Sequence, residues 1–380
     1  MKIGFMANYF YPATGGMEEL TFNIAKELVK NGHEVHVFTS DRKDNQIFAK
    51  EETVEGVQIH RSTLYFNYKY YLKFNPNLAF HHLKYKLDVL HVQSFGFFFQ
   101  DIAVILRKIF TKTKLINTPH GPFMALDKYP LSQTIFKKCY ETFEYPINSL
   151  YDTVIQVNPE QYKWMNKLGI KKIKFIPNSI PESIFKKVST KTFQQKYNLK
   201  DKFIISYLGR VQKYKGLEQV IKTLPDLIKI QPNIIFLGIG GEVDNEIQRL
   251  KTIAKELKVE NHLILTGRIS EEEKLQALDL TEIFILPSEW EAFGIVLIEA
   301  MARGCALVST RTEGGNFVIQ EGKQGYLFSY QNRKELTEKL TKLISNKSEL
   351  IEIQKNNLKE SKKYSITLAI KEYEKMYQQQ

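Results

Sequence analysis

The sequence predicts an α/β protein made of two doubly wound parallel-sheet domains facing across a cleft. Three observations carry this. The chain has 380 residues, more than one ordinary core accommodates. Short apolar strands alternate with amphipathic helical stretches along most of it. The alternation is interrupted once near the middle, at Pro177-Asn178-Ser179-Ile180-Pro181, and then restarts, so this stretch reads as the interdomain linker.

The first half opens with a strand at 2–8, a glycine-containing loop, a helical pattern over 17–30 closed by Asn31-Gly32, and a strand at 34–39, which together form a βαβ unit. Further strands are expected at 57–61, 89–93, 115–118, 154–157 and 174–176. The second half repeats the scheme, with strands at 203–208, 234–239, 263–266 and 283–286 and helices at 216–230, 244–257, 271–279 and 295–303. Residues 334–380 read as helical and charged. Strands separated by helices require parallel pairing with both sheet faces covered.

Composition narrows the function. A 43% hydrophobic and 25% charged chain is globular. Two cysteines, Cys139 and Cys305, provide neither a disulfide framework nor a zinc set, which points to a reducing cytoplasm. The apolar run at 3–7 is too short for a signal peptide, and no stretch approaches the length of a membrane span. The net charge of +12 calls for an anionic partner. Between Arg61 and Lys86 the charged residues are Arg61, Lys69, Lys73, Lys84 and Lys86, interleaved with Tyr65, Phe66, Tyr68, Tyr70, Tyr71, Phe74, Phe80 and Tyr85. Basic and aromatic side chains on one surface suit an acidic lipid headgroup interface, so 61–86 is a candidate membrane-docking segment.

Residues 287–309, PSEWEAFGIVLIEAMARGCALVS, hold the densest chemistry. A strand runs into Pro287 and Ser288, and the tight Phe293-Gly294 turn opens the next helix. Free N–H groups at that opening, backed by the helix dipole, favour a phosphate or sugar oxygen. Glu291 and Glu299 stand eight positions apart, which places Glu299 about two turns further along, where it can face the same cleft. Two acceptor-only carboxylates suit a polyhydroxylated ligand. With Phe-Gly after the first Glu and Glu-Ala-Met-Ala-x-Gly at the second, this string resembles the hallmark of retaining glycosyltransferase family 4. The resemblance spans essentially the whole chain and is strongest over 207–325. Cys305-Ala306 stands where Pro-Val is common in the family, and Asn316 where a more acidic run is frequent; neither removes a donor contact.

The resemblance implies the GT-B architecture of two Rossmann-like domains. These are an acceptor-binding domain at 1–178, with a terminal helix at about 362–380 packing back on it, and a nucleotide-sugar domain at 179–361. It implies that Arg210 and Lys215, in Gly-Arg-x4-Lys-Gly, hold the donor phosphates, an arginine fork beside a point charge. Glu291 would hold sugar hydroxyls and Glu299 the ribose, while the amides of Phe293, Gly294 and Ile295 meet sugar or phosphate. Ile269 would meet the base through its backbone. His120, in Thr118-Pro119-His120-Gly121, would touch the donor sugar beside the reacting carbon. The loop Pro12-Ala13-Thr14-Gly15-Gly16 follows the first strand, where doubly wound sheets bind ligands, and Gly15 and Gly16 let the backbone approach a diphosphate or acceptor.

Catalysis would then rest on His120, Arg210, Lys215 and Glu291, with no metal and no cofactor, the nucleotide sugar being a substrate. The implied reaction is front-face hexosyl transfer with retention from a UDP- or GDP-sugar. The basic aromatic segment favours a lipid-linked or membrane-proximal glycan acceptor, hence a cytoplasmic enzyme peripheral to the membrane, and nucleic acid is not an expected partner. A sugar-nucleotide isomerase or epimerase on the same architecture and a non-catalytic binder of anionic polymer are the alternatives. Other chemistries lack parts. Gly238-Ile239-Gly240 has Val243 where a dinucleotide loop needs its third glycine, and there is no phosphate loop of the G-x-x-x-x-G-K-[ST] type.

Overall fold

A computed structural model describes residues 1–13, 15–43, 46–68, 72–121 and 131–379. Thr14, Lys69, Tyr70 and Tyr71, named above, lie outside them. The chain divides into two compact units, Met1–Ser179 with Ile366–Gln380, and Ile180–Ser365.

Among the described residues the first unit contains strands β1 (Lys2–Ala7), β2 (Glu34–Ser40), β3 (Arg42–Lys43), β4 (Gln46–Ile47), β5 (Glu51–Val54), β6 (Val57–Ser62), β7 (Phe66–Tyr68), β8 (Leu72–Phe74), β9 (Val89–Gln93), β10 (Lys114–Thr118), β11 (Thr153–Gln156) and β12 (Ile173–Phe175). The main sheet runs β12-β11-β10-β9-β1-β2-β6-β5. It is parallel except at β5, an antiparallel edge strand that the sequence reading did not anticipate because it alternates half-exposed residues instead of forming an apolar run. β3 with β4 and β7 with β8 form separate antiparallel ladders. β1 is buried from Ile3 to Ala7 because helices cover both faces. The Gly16–Lys30 helix buries Leu20, Ile24 and Leu28 at four-residue spacing, each contributing about 1.5–3 kcal/mol. The chain leaves β1 toward β2 on one side, and β9 pairs on the other, so the strand order reverses between β1 and β9.

Asp101 and Glu144 are buried together in this unit. The Tyr140 hydroxyl donates to Asp101, and burial raises the pKa of both acids, with their mutual repulsion adding to the rise at Glu144.

The second unit has β13 (Phe203–Leu208), β14 (Ile234–Ile239), β15 (Leu263–Leu265), β16 (Ile283–Leu286), β17 (Ala306–Thr310) and β18 (Gly325–Phe328), ordered β15-β14-β13-β16-β17-β18 and parallel throughout. Phe236, Leu237, Phe284, Ile285 and Leu307 form its fully buried centre. Strand order reverses between β13 and β16. The helical tail resolves into Arg333–Ser345, Lys347–Glu360 and Ile366–Gln378.

The chain passes from one unit to the other at Ser179–Ile180 and again at Ser365–Ile366. On the second unit the two crossings are neighbours, with the Ile180 N–H donating to the Tyr364 carbonyl at 2.9 Å. The Ile366–Gln378 helix then docks on the first unit. Tyr377 shares a hydrogen bond with His91 at 2.7 Å, Lys114 Nζ donates to the Met376 carbonyl at 2.6 Å, and Asn31 Nδ2 donates to Glu374 at 2.8 Å.

Candidate functional site

In open parallel sheets, ligands bind beyond the carboxyl ends of the strands where strand order reverses. In the second unit that point lies between the loops following β13 and β16. The first carries Arg210 and Lys215, and the second carries Glu291, Phe293 and Gly294.

Backbone approach holds the two loops together. Gly216 caps the Leu217–Ile228 helix at φ 72°, and a Cβ there would lie 2.1 Å from the Pro287 carbonyl oxygen. Only glycine fits both the left-handed conformation and that approach. The Glu289 N–H donates to the Tyr214 carbonyl at 2.8 Å. Across this seam Lys215 Nζ donates to Glu291 Oε1, which also accepts from Ser288 Oγ at 2.9 Å. Burial opposes charging Lys215, but Glu291 and Tyr214 together outweigh it and raise the lysine's pKa, so the ammonium persists through neutrality. Arg210 is exposed, and its carbonyl accepts from the buried Tyr207 hydroxyl at 2.8 Å.

Gly294 takes φ 75° and opens the Ile295–Ala302 helix, while Phe293 is buried against Phe317 and Tyr364. The turn is held from below by a Gly-Gly pair that the sequence reading did not single out. Gly314 N–H donates to the Glu291 carbonyl at 3.0 Å, and a Cβ on Gly314 would lie 2.3 Å from the Phe293 oxygen. Thr312, which accepts from Gly315 N–H at 3.1 Å, caps the short helix bearing this pair. A capping threonine followed two residues later by paired glycines was the available signal.

Glu299 lies on the Ile295–Ala302 helix, but its carboxylate is buried and accepts from Lys274 Nζ at 3.0 Å, with both side chains less than a tenth exposed. Lys274 also reaches Glu271 at 2.7 Å. Ser288 and Lys274 are thus partners of the two glutamates that spacing alone did not reveal. Ile269 follows β15, half-buried against the second unit's core. The adjoining turn is tied in by Gly240 N–H donating to the Gly267 carbonyl at 2.9 Å.

The remaining candidates belong to the first unit. His120 follows β10 at φ 57°, and its Nε2 shares a hydrogen bond with Gln93 at 2.7 Å; burial lowers its pKa to about 4, so the ring is neutral at physiological pH. Gly15 and Gly16 are exposed at the start of the first helix. The Glu18 carboxylate folds back over Gly15, so a Cβ there would lie 2.2 Å from its oxygen. Lys43 Nζ bonds Glu18 at 2.9 Å. Among the described residues no group of three or more His, Cys, Asp or Glu is placed to hold a metal ion.

The basic segment is only partly a surface. Arg61 is buried, reaching Glu52 at 2.8 Å and the Tyr11 carbonyl, so the cation expected to face a headgroup is already neutralised by an acid from the neighbouring strand. Lys73 is buried against Tyr9, whose hydroxyl lies 2.7 Å from Nζ. Lys84, Lys86, Tyr65, Phe66, Phe74 and Phe80 remain exposed. Among the described residues no helix is long and apolar enough to cross a membrane.

Comparison with known proteins agrees with this arrangement. Residues 14–183 match the family described as glycosyltransferase family 4, and residues 189–363 match glycosyl transferases group 1. The chain is 24% identical over 336 residues to N-acetyl-alpha-D-glucosaminyl L-malate synthase of Bacillus anthracis, covering 86% of this chain and 83% of that protein. Its fold is similar to sucrose-phosphate synthase from Thermosynechococcus elongatus, with TM-score 0.83 at 19% identity over 99% and 98% of the two chains. It is also similar to Anabaena HepE in complex with UDP and glucose, with TM-score 0.78 at 16% identity over 99% of each. The chain belongs to glycosyltransferase family 4 and has the GT-B fold.

Proposed function

We propose that the protein moves a hexosyl unit from a UDP- or GDP-sugar to a hydroxyl of a lipid-linked or membrane-proximal glycan acceptor, with retention of configuration and without a metal. The observation that carries this reading is the Lys215–Glu291 pair at the β13/β16 reversal, which sets a permanent cation beside a carboxylate at the mouth of a helix. The complex of HepE with UDP and glucose supports a nucleotide-sugar donor on this architecture.

Lys215 and Arg210 receive the diphosphate, whose negative charge grows as the bond to the anomeric carbon breaks, and the amides of Phe293, Gly294 and Ile295 add the helix dipole. Glu291 accepts from sugar hydroxyls. Glu299, oriented by Lys274, takes the ribose hydroxyls, and the backbone of Ile269 meets the base. Neutral His120 presents a ring nitrogen to the donor sugar, and Gly15 and Gly16 close on the diphosphate or acceptor. The acceptor oxygen attacks from the face the phosphate leaves, forming the new bond to carbon as the old one breaks, and the departing phosphate oxygen takes the acceptor proton. Protein cations supply the positive potential, so activity persists in a chelator. The exposed aromatics with Lys84 and Lys86 hold the enzyme at the cytoplasmic membrane face.

Thermal shifts with UDP-, GDP- and ADP-sugars identify the donor, because a ligand that binds the folded state raises Tm. NMR of the product then reads the anomeric configuration. Absence of any shift, or an inverted anomer, refutes the proposal.

A further inference from the structure

The first unit holds a cavity of about 140 Å³ walled by Phe74, Leu78, Phe97, Phe98 and Phe99. Its polar edge consists of Asn8, Lys73, Asn75 and Gln100. We infer that it binds the phosphate and first carbons of the isoprenoid-phosphate lipid that carries the acceptor glycan. This rests on the transferase reading and assigns that acceptor's class and place.

Position is the first argument. Asn8 directly follows β1, and Phe97 to Gln100 follow β9, so the cavity sits at the first unit's own reversal of strand order, where such sheets bind ligands. Size is the second, since an apolar cavity of about 150 Å³ accommodates one benzene-sized group, or about one isoprene unit. Chemistry is the third. Asn8 Nδ2 and Gln100 Nε2 are buried donors with no acceptor among the described residues, although both side chains are at least nine-tenths buried. Buried Lys73 lines the same cavity, its ammonium 4.3 Å over the Tyr9 ring. None of the residues forming the cavity is acidic. Two amide donors and a cation at the edge of a phenylalanine-walled hollow fit an anion joined to a hydrocarbon; a free sugar would leave the walls unused, and an uncharged lipid would leave the donors unmatched.

An aromatic ridge continues from the cavity. Phe66 stacks on Phe74 at 5.2 Å, Phe74 meets Phe99 at 5.4 Å, Phe99 meets Phe98 at 5.2 Å, and Phe98 reaches Phe143 at 6.3 Å. Phe66, Phe74, Phe98 and Phe143 are each between 42% and 52% exposed, which provides an apolar track for the rest of the chain toward a bilayer.

The test is calorimetric titration of the full chain with farnesyl phosphate, farnesol and inorganic phosphate, repeated on Phe98→Ser and Lys73→Gln. Phe98 is half-exposed, and an unchanged melting temperature checks that each variant keeps the fold. Farnesyl phosphate is expected to bind at least about tenfold more tightly than either fragment, and each variant to weaken it by about fivefold or more. Equal binding of farnesol or of inorganic phosphate, or variants without effect, overturns the inference. Binding to phosphatidylglycerol vesicles without binding of soluble farnesyl phosphate also overturns it, making the ridge a membrane surface only. An unmodified chain that binds a sugar nucleotide but not farnesyl phosphate refutes this inference alone, and one that binds farnesyl phosphate but no sugar nucleotide refutes the transferase reading alone.

Discussion

Lys215 and Glu291 meet across the seam between two crossover loops, and the carboxylate oxygen that accepts the ammonium also accepts Ser288 Oγ at 2.9 Å. Cation and carboxylate therefore hold each other in place before any ligand arrives. Such preorganisation is what stabilises developing charge without reorganisation cost.

Lys215→Ala and Glu291→Gln are each expected to lower kcat/KM by about 10²–10³. Because the two groups share one hydrogen bond, the double variant should lose less than the product of the single losses. Steady-state rates on the four proteins decide the matter, and fully multiplicative losses would show that the residues act independently.

The buried Glu299–Lys274 pair makes a stability prediction. Glu299→Ala strands a lysine ammonium that is less than a tenth exposed, and breaking such a pair costs about 3–5 kcal/mol, lessened here because Glu271 also reaches Lys274. Adding Lys274→Met should recover part of the loss. Urea unfolding measures both steps; a Glu299→Ala protein as stable as wild type contradicts the pairing.

Gly314→Ala places a methyl carbon 2.3 Å from the Phe293 oxygen, and the backbone there cannot swing aside as a flexible side chain can. The Phe293-Gly294 turn must shift, at about 1–3 kcal/mol. Weakened sugar-nucleotide binding in thermal-shift titrations is the expected readout, and unchanged affinity would release the turn from this support.

Glu144 gives a pH dependence. Burial, followed by repulsion from Asp101, raises its pKa above the ordinary 4.5. From that value upward, the folded protein keeps a proton that the unfolded chain releases, so stability falls as pH rises. Glu144→Gln removes the penalty. Its gain in Tm over wild type should grow between about pH 5 and 8, and a gain independent of pH would be contrary to a raised carboxyl.

Much of the architecture was legible because parallel strands covered on both faces must be nearly continuous apolar runs, and β1, β13, β14 and β16 are. β5 was not, since an exposed antiparallel edge leaves only weak alternation. The place of Glu291 just before a helix opening was legible from its motif, but the burial of Lys274 was not. A lysine on a charged helical stretch reads as solvated, and its burial comes from tertiary pairing with a residue twenty-five positions away. Arg61 misled for the same reason, because its neutralising Glu52 lies across a hairpin.

The second unit enters and leaves by adjacent strands of chain, pinned together at Ile180 and Tyr364. Topologically it is a cassette inserted ahead of the final helix, which completes the host into which it is inserted. A cassette with both ends side by side can be exchanged by two splices without re-routing anything else. Recombination could therefore replace residues 180–365 while the first unit stays intact, provided Ile366–Gln378 is kept with its host.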